Sequence, residues 1–260
     1  MKLRRIAISV CCALLLTVSA LAQGFSASSS APSQVVHFKS EEISAFSQKV
    51  ERTLADTGAR VAIIARMGRL ASELPQGMHF THVAFAVKGE KSTGYVIQNL
   101  YQLDDRPDVS ALVQDIPVEF FKGVVTLESG LIIPSPALQD KLLKVIASPI
   151  YQQLHQPDYS VIANPYTLGR QNCTEFVLDV LNAAIYQTSD IQAIKAYEKA
   201  HFVAQPVHVN PFKLMLGAML DAEVSLSDHR GLPVTATFER LADYLQTYDT
   251  SAVVKRVYSD

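Results

Sequence analysis

Three β-branched runs in quick succession, RVAIIARMG at 60–68, FTHVAFAVKG at 80–89 and GYVIQNLYQ at 94–102, place the strongest limit on the fold. Each has the length and residue types of a strand, and turn residues separate them. Their connections are short, whereas parallel neighbours need crossovers of a dozen residues or more, so the runs predict an antiparallel meander.

Helical spacing surrounds this meander. In SEEISAFSQKVERTLADTG, residues 40–58, the apolar positions Ile43, Phe46, Val50 and Leu54 follow a helical period, with Ser40 as cap and Gly58 as terminator. PSPALQDKLLKVIAS at 134–148 reads as a helix with prolines at its entry, where a missing N–H is harmless. SDIQAIKAYEKAHF at 189–202, NPFKLMLGAMLDAEV at 210–224 and ATFERLADYLQTYD at 236–249 read as further helices, the second with Asn210 as cap and Pro211 in its first turn. SAVVKRVYS at 251–259 reads as a last strand, DYSVIANPY at 158–166 as a short extended piece, and IPVEFFKGVVTL at 116–127 fits either type of element. The expected class is α+β, with helices grouped around an antiparallel sheet.

Residues 1–22 have the form of an export signal: Lys2, Arg4 and Arg5 precede an apolar run from Ile6 to about Ala20, with small residues at Ala20 and Ala22. Cleavage near Ala22 would leave a periplasmic or secreted chain, a flexible leader at 23–37 rich in serine and alanine, and a single domain over 38–260. No stretch reaches the roughly 20 apolar residues of a membrane span. The formal charge of −2, with scattered Lys and Arg, lacks the basic face that nucleic acid binding requires.

Of three cysteines, Cys11 and Cys12 lie inside the apolar run, so the mature chain keeps Cys173 alone. A lone cysteine in an exported protein is either buried and inert or a reactive thiol. Its context, RQNCTEFVLDVLNAAI at 170–185, places apolar residues as adjacent pairs every four positions, the mark of an amphipathic helix. Asn172 with Glu175 resembles a capping box, which makes Cys173 the first helical residue. There the N–H groups and the helix dipole favour an anion and lower a thiol pKa. They are also suited to holding an oxyanion. Against this, Cys173, Val177, Val180 and Ala184 share a stripe, and a small thiol packs well in a core.

The candidate base is His82. In THVAFAV it shares a face with Ala84 and Ala86, which leaves room for a substrate or a helix end. An imidazole there could take the thiol proton and return it to a leaving group. In the next strand Gln98 and Asn99 point to opposite faces, and the register decides which amide steadies the ring. A metal held by His79, His82 and Cys173 fits poorly, because HxxH on a strand divides its rings between two faces.

The ordered set THVAFAV, GYVIQ and QNCTEFVLDVL resembles the circularly permuted branch of the NlpC-type papain-like superfamily, which includes the lecithin–retinol acyltransferase group. The whole chain also resembles an uncharacterised bacterial group, the domain-of-unknown-function family 2145. The first resemblance implies a permuted papain-like fold with helical insertions, Cys173 as nucleophile, His82 as general base and Gln98 in the third position. There the family commonly has histidine, and glutamine can orient a ring but cannot exchange a proton. It further implies hydrolysis or transfer of acyl groups at amide, ester or thioester bonds, without metal or organic cofactor. Cell-wall peptides and lipids are the substrate classes it suggests. The rival expectation is a binding or structural module of the envelope that keeps the fold without turnover.

Overall fold

The computed structural model describes residues 36–89, 94–208 and 223–259. The expected signal at 1–22, nearly all of the leader and most of the helix expected at 210–224 lie outside these residues. The described part is α+β. A six-stranded antiparallel sheet has the order β4-β3-β2-β1-β5-β8. Its strands are β1 (Val61–Met67), β2 (His82–Lys88), β3 (Tyr95–Gln102), β4 (Ser110–Asp115), β5 (Thr126–Ile133) and β8 (Val253–Tyr258). The meander read from the first three runs is present. β1 sits at the centre, buried along all seven residues, which is why it reads as a continuous apolar run and not as an alternating one.

Seven α-helices occur among the described residues: α1 (Ser40–Asp56), α2 (Pro117–Phe120), α3 (Pro136–Ile146), α4 (Pro149–Gln153), α5 (Cys173–Tyr186), α6 (Ile191–His201) and α7 (Phe238–Tyr248). A two-stranded ribbon joins β6 (Gln205–Pro206) to β7 (Val234–Thr235). The sheet divides the apolar interior in two. On one face Val61, Ile63, Val83, Phe85 and Leu100 pack with Cys173, Phe176 and Val180 of α5 and with Leu241 and Leu245 of α7. On the other, Ala62, Ile64, Ala84, Ala86 and Ile97 pack with Phe46 and Val50 of α1 and with Phe120 and Phe121 at α2.

Local signals fixed most element ends. Ser135 caps α3 by accepting from the Leu138 N–H, and Asp190 caps α6 by accepting from Gln192 and Ala193. The first helix starts one residue differently from expectation: Ser40 is helical and Lys39 is the cap, because the Glu42 carboxylate reaches back to the Lys39 N–H. DYSVIANPY forms isolated bridges at Asp158 and Tyr159 and no continuous strand. IPVEFFKGVVTL splits into α2 and the start of β5. The whole of β5 reads TLESGLII and carries Gly130 because a Cβ there would stand 2.6 Å from Phe238 Cζ and 2.7 Å from Phe80 Cε2. Gly130 therefore marks close packing inside the strand, where it would otherwise read as a break.

Candidate functional site

Helix α5 begins where the sequence places it. The Asn172 side chain accepts from the Thr174 and Glu175 N–H groups, and its Nδ2 donates to Thr235 Oγ1 at 3.0 Å and to the Val161 carbonyl at 3.2 Å. Cys173 is the first helical residue and is buried. The capping box is only half formed, since Glu175 turns to Lys195 and not back to the cap. Asn172 also occupies two of the amides expected to favour an anion. The expected low thiol pKa is not found: burial pushes Cys173 above its ordinary value, opposed by the Val83 N–H, the Thr174 hydroxyl and the Arg66 charge.

His82 opens β2 and is fully buried. The face it shares with Ala84 and Ala86 is not the face covered by the cysteine helix. That small-residue face lies under α1 and α2, and the imidazole packs against Phe120 at 5.7 Å and stacks on Tyr101 at 5.0 Å. Cys173 comes from the opposite layer, with Val83.

The end of one strand ladder relates the two. β1 pairs with β2 as far as Arg66↔His82, and β3 pairs with β4 as far as Gln102↔Ser110. The ladder between β2 and β3 ends at Phe85↔Gln98. Beyond that pair the β2–β3 pairing stops, although His82 still meets Asn99 and Tyr101 through its side chain, and a hydrogen bond from the Val83 backbone acts on Cys173. Thiol and imidazole thus lie in opposite layers near the end of this ladder. Among the described residues Cys173 Sγ makes one side-chain hydrogen bond, to Thr174 Oγ1 at 3.9 Å, and none to His82.

The register selects Asn99 over Gln98 as the imidazole's partner. Asn99 shares a face with Tyr101 and His82, and its Oδ1 lies 3.0 Å from His82 Nε2. Gln98 pairs across from Phe85 and shares the other face with Leu100. The Asn99 amide has a fixed orientation, because its Nδ2 donates to Asp115 Oδ2 at 3.1 Å and to the Ile97 carbonyl at 3.3 Å. The oxygen must then face His82, so Nε2 carries the hydrogen and Nδ1 keeps its lone pair. Nδ1 is buried and has no hydrogen-bond partner among the described residues. Burial and then the Arg66 charge hold the imidazole pKa down at about 3, against the Asn99 hydrogen bond.

Arg66, Tyr101 and Asp115 complete the surroundings, and the sequence reading did not single them out. Arg66 stands opposite His82 in the β1–β2 register. Its Nη1 donates to the Phe120 carbonyl, and its guanidinium lies 5.1 Å from the Phe120 ring centre and 5.8 Å from that of Tyr101. Tyr101 donates to Asp115 Oδ2 at 2.6 Å. One signal for Arg66 was available: an arginine on the same strand face as Ala62 and Ile64 is an inward charge and needs a reason. His79, outside the strand, bonds Glu128 at 2.9 Å, and the described residues hold no cluster of His, Cys, Asp and Glu suited to a metal.

A second buried polar group lies beneath α5. Lys195 of α6 meets Glu175 at 2.8 Å, Asp179 at 2.7 Å and Glu198 at 3.1 Å. These bonds tie the first turns of the cysteine helix to α6.

Residues 53–245 match the model of a family described as an uncharacterized protein conserved in bacteria (DUF2145), and the span includes every residue of this site. No curated protein matches the chain, and no solved structure does. No helix among the described residues is long and apolar enough to cross a membrane.

Proposed function

The chain belongs to that bacterial family, and on this premise we propose that it is an exported thiol hydrolase or acyltransferase of permuted papain-like fold, with Cys173 as nucleophile, His82 as general base and Asn99 as the group that orients the imidazole. One observation carries the reading: a fully buried imidazole whose Nε2 is held by a pinned amide while Nδ1 has no partner among the described residues. A structural histidine in a core uses both nitrogens, and leaving one unpaired has a cost. A base awaiting a proton leaves one nitrogen bare.

In the proposed reaction His82 Nδ1 takes the Cys173 proton as Sγ attacks a carbonyl carbon. The imidazolium returns that proton to the leaving nitrogen, oxygen or sulfur, and an acyl thioester forms on Cys173. Water, or an acceptor hydroxyl or amine, then releases the acyl group and restores the thiol. Catalytic hydrogen bonds are often long before substrate binds and tighten in the complex, which fits the missing Sγ–Nδ1 bond. The substrates are amides, esters or thioesters, with cell-wall peptides and lipid esters as the two classes to test.

The test is incubation of wild type and Cys173→Ala with cell-wall fragments and with lipid esters, followed by mass spectrometry of the protein. Turnover with an acyl adduct on Cys173 is expected in one series and absent from the variant; equal turnover by both proteins overturns the reading. One observation favours the alternative of a non-catalytic envelope module: Cys173 is 4% exposed and His82 0%. A thiol that resists alkylation under every condition, including an excess of either substrate class, would favour that module.

A further inference from the structure

We propose that Asp115 is a positioning residue for His82: through Asn99 it decides which imidazole nitrogen carries the hydrogen, and so keeps Nδ1 free to act as the base. The inference deepens the functional reading above and rests on it. Asp115 acts on the two groups that hold the ring.

The β3–β4 register brings these residues together. Asp115 pairs across from Ile97, which makes Asn99 its diagonal neighbour on the same face of the sheet. Asn99 Nδ2 donates to Asp115 Oδ2 at 3.1 Å, and Asn99 Oδ1 lies 3.0 Å from His82 Nε2. Tyr101 pairs with Ala111, further along that face, and its phenol reaches back to donate to the same Oδ2 at 2.6 Å. The Tyr101 ring stacks on the imidazole with centroids 5.0 Å apart and planes 19° from parallel. One carboxylate oxygen therefore anchors both the hydrogen-bond partner of His82 and a ring against which it packs.

The chemistry of the acceptor gives this chain its direction. A carboxylate oxygen accepts and does not donate, so Asn99 presents its NH2 group to Asp115 and its carbonyl oxygen to His82. That carbonyl also only accepts, so the neutral imidazole carries its hydrogen on Nε2 and keeps the Nδ1 lone pair. Asn99 is 0% exposed and Tyr101 4%, so bulk water does not compete for these groups. A flipped amide would set NH2 against Nε2, and the ring hydrogen would move to Nδ1. An imidazole of that tautomer has no lone pair on the nitrogen that the proposed reaction uses. The Ile97 carbonyl accepts from the same Nδ2 at 3.3 Å and adds a weaker preference in the same sense.

The experiment reads the His82 tautomer in the full chain without substrate, by nitrogen–proton correlation NMR of ring-labelled histidine at a pH where the ring is neutral. A nitrogen that bears hydrogen and a bare one differ widely in chemical shift. In wild type Nε2 is expected to bear the hydrogen. Asp115 is half-buried at the end of the edge strand β4, a position where substitution disturbs the core little. Asp115→Leu removes the acceptor and should shift the tautomer ratio toward Nδ1–H by roughly tenfold or more, the worth of a hydrogen bond to a charged group. Asp115→Asn keeps an oxygen in the place of Oδ2 and should retain most of the wild-type preference. In Asn99→Asp/Asp115→Leu a carboxylate faces the imidazole and offers oxygen whichever way it turns, so the Nε2–H form should return.

A wild-type ring with its hydrogen on Nδ1 overturns the proposal, a result that needs no variant to fold. So does an unchanged tautomer ratio in Asp115→Leu, or in Asp115→Ala where leucine is not tolerated. A shift in the double variant equal to that in Asp115→Leu would mean that the carboxylate does not act through Asn99, and overturns it as well. These spectra are independent of the turnover test. Cys173-dependent turnover with a tautomer insensitive to Asp115 would sink the Asp115 role alone, and equal turnover by wild type and Cys173→Ala would sink the functional reading while the tautomer result stands.

Discussion

Replacing Glu175 with glutamine isolates the charge imbalance beneath α5. Three buried carboxylates, Glu175, Asp179 and Glu198, face the single ammonium of Lys195, with side-chain exposures of 0% for Glu175, Asp179 and Glu198 and 5% for Lys195. Full ionisation would leave two uncompensated charges, so the cluster retains a proton. Burial first, against the Lys195 charge, raises Glu175 to about 8, and Glu198 moves in the same direction for the same first reason. A carboxyl whose pKa is higher folded than unfolded contributes stability that is complete below its unfolded value and is lost as pH rises through its folded value. For Glu175 the window runs from 4.5 to about 8.

His82 acts with the opposite sign. Its pKa is depressed from 6.5 to about 3, so its contribution is present above 6.5 and is lost as pH falls toward 3. Between 4.5 and 6.5 the two effects offset one another, and above 6.5 the carboxyl dominates. Each pKa unit corresponds to about 1.4 kcal/mol, so the roughly 1.5 units from 6.5 to 8 amount to about 2 kcal/mol of lost stability. Glu175→Gln keeps an oxygen for the Lys195 Nζ and removes the ionisation. Urea unfolding at pH 6.5 and 8.5 should show wild type losing about 2 kcal/mol and the variant most of that less. Wild-type stability that is flat or rises across this interval, or an equal loss in both proteins, would refute the shared-proton account.

Asn99→Ala should lower acyl turnover at least about tenfold, with a smaller effect on substrate binding, because an untethered imidazole spends less time with Nδ1 available; Gln98→Ala should stay within about twofold. Steady-state kinetics on whichever substrate responds to Cys173→Ala measures both. Asn172→Ala removes the cap of α5 and its bonds to Val161 and Thr235, and should cost about 1–2 kcal/mol by denaturant unfolding. Gly130→Ala drives a methyl group into Phe80 and Phe238, and a lower melting temperature corresponding to about 1–3 kcal/mol should follow.

The fold was legible wherever a local pattern carried it. The runs around Ile63, Phe85 and Ile97 gave three strands, and the spacing of Ile43, Phe46, Val50 and Leu54 gave α1. β4 was not read because SALVQD at 110–115 is short and half polar, as suits an edge strand. β5 was obscured by Glu128 and Gly130, whose reasons lie in distant partners: His79 and Arg256 for the carboxylate, and Phe80 with Phe238 for the missing side chain.

In the candidate site, residue types and their order along the chain pointed to Cys173 and His82, and the alternation of β3 reduced the third member to Gln98 or Asn99. The choice between these two depends on how β3 aligns with β2, a non-local quantity. The same holds for Arg66. Its inward direction follows from strand parity, but its neighbours do not.

Periodicities of two and of about 3.6 residues are properties of the backbone, so the sequence by itself determined the α+β class, the meander, the start of α5 at Cys173 after its Asn172 cap and which side chains share each strand face. Which layer covers which face is decided by packing between segments far apart in the chain, and that placed α5 opposite the face His82 occupies. The point at which the β2–β3 ladder ends has the same origin. It falls at Phe85↔Gln98 while the flanking ladders run on to His82 and Gln102, and hydrogen bonds between strands have no counterpart in the spacing of residues along either one.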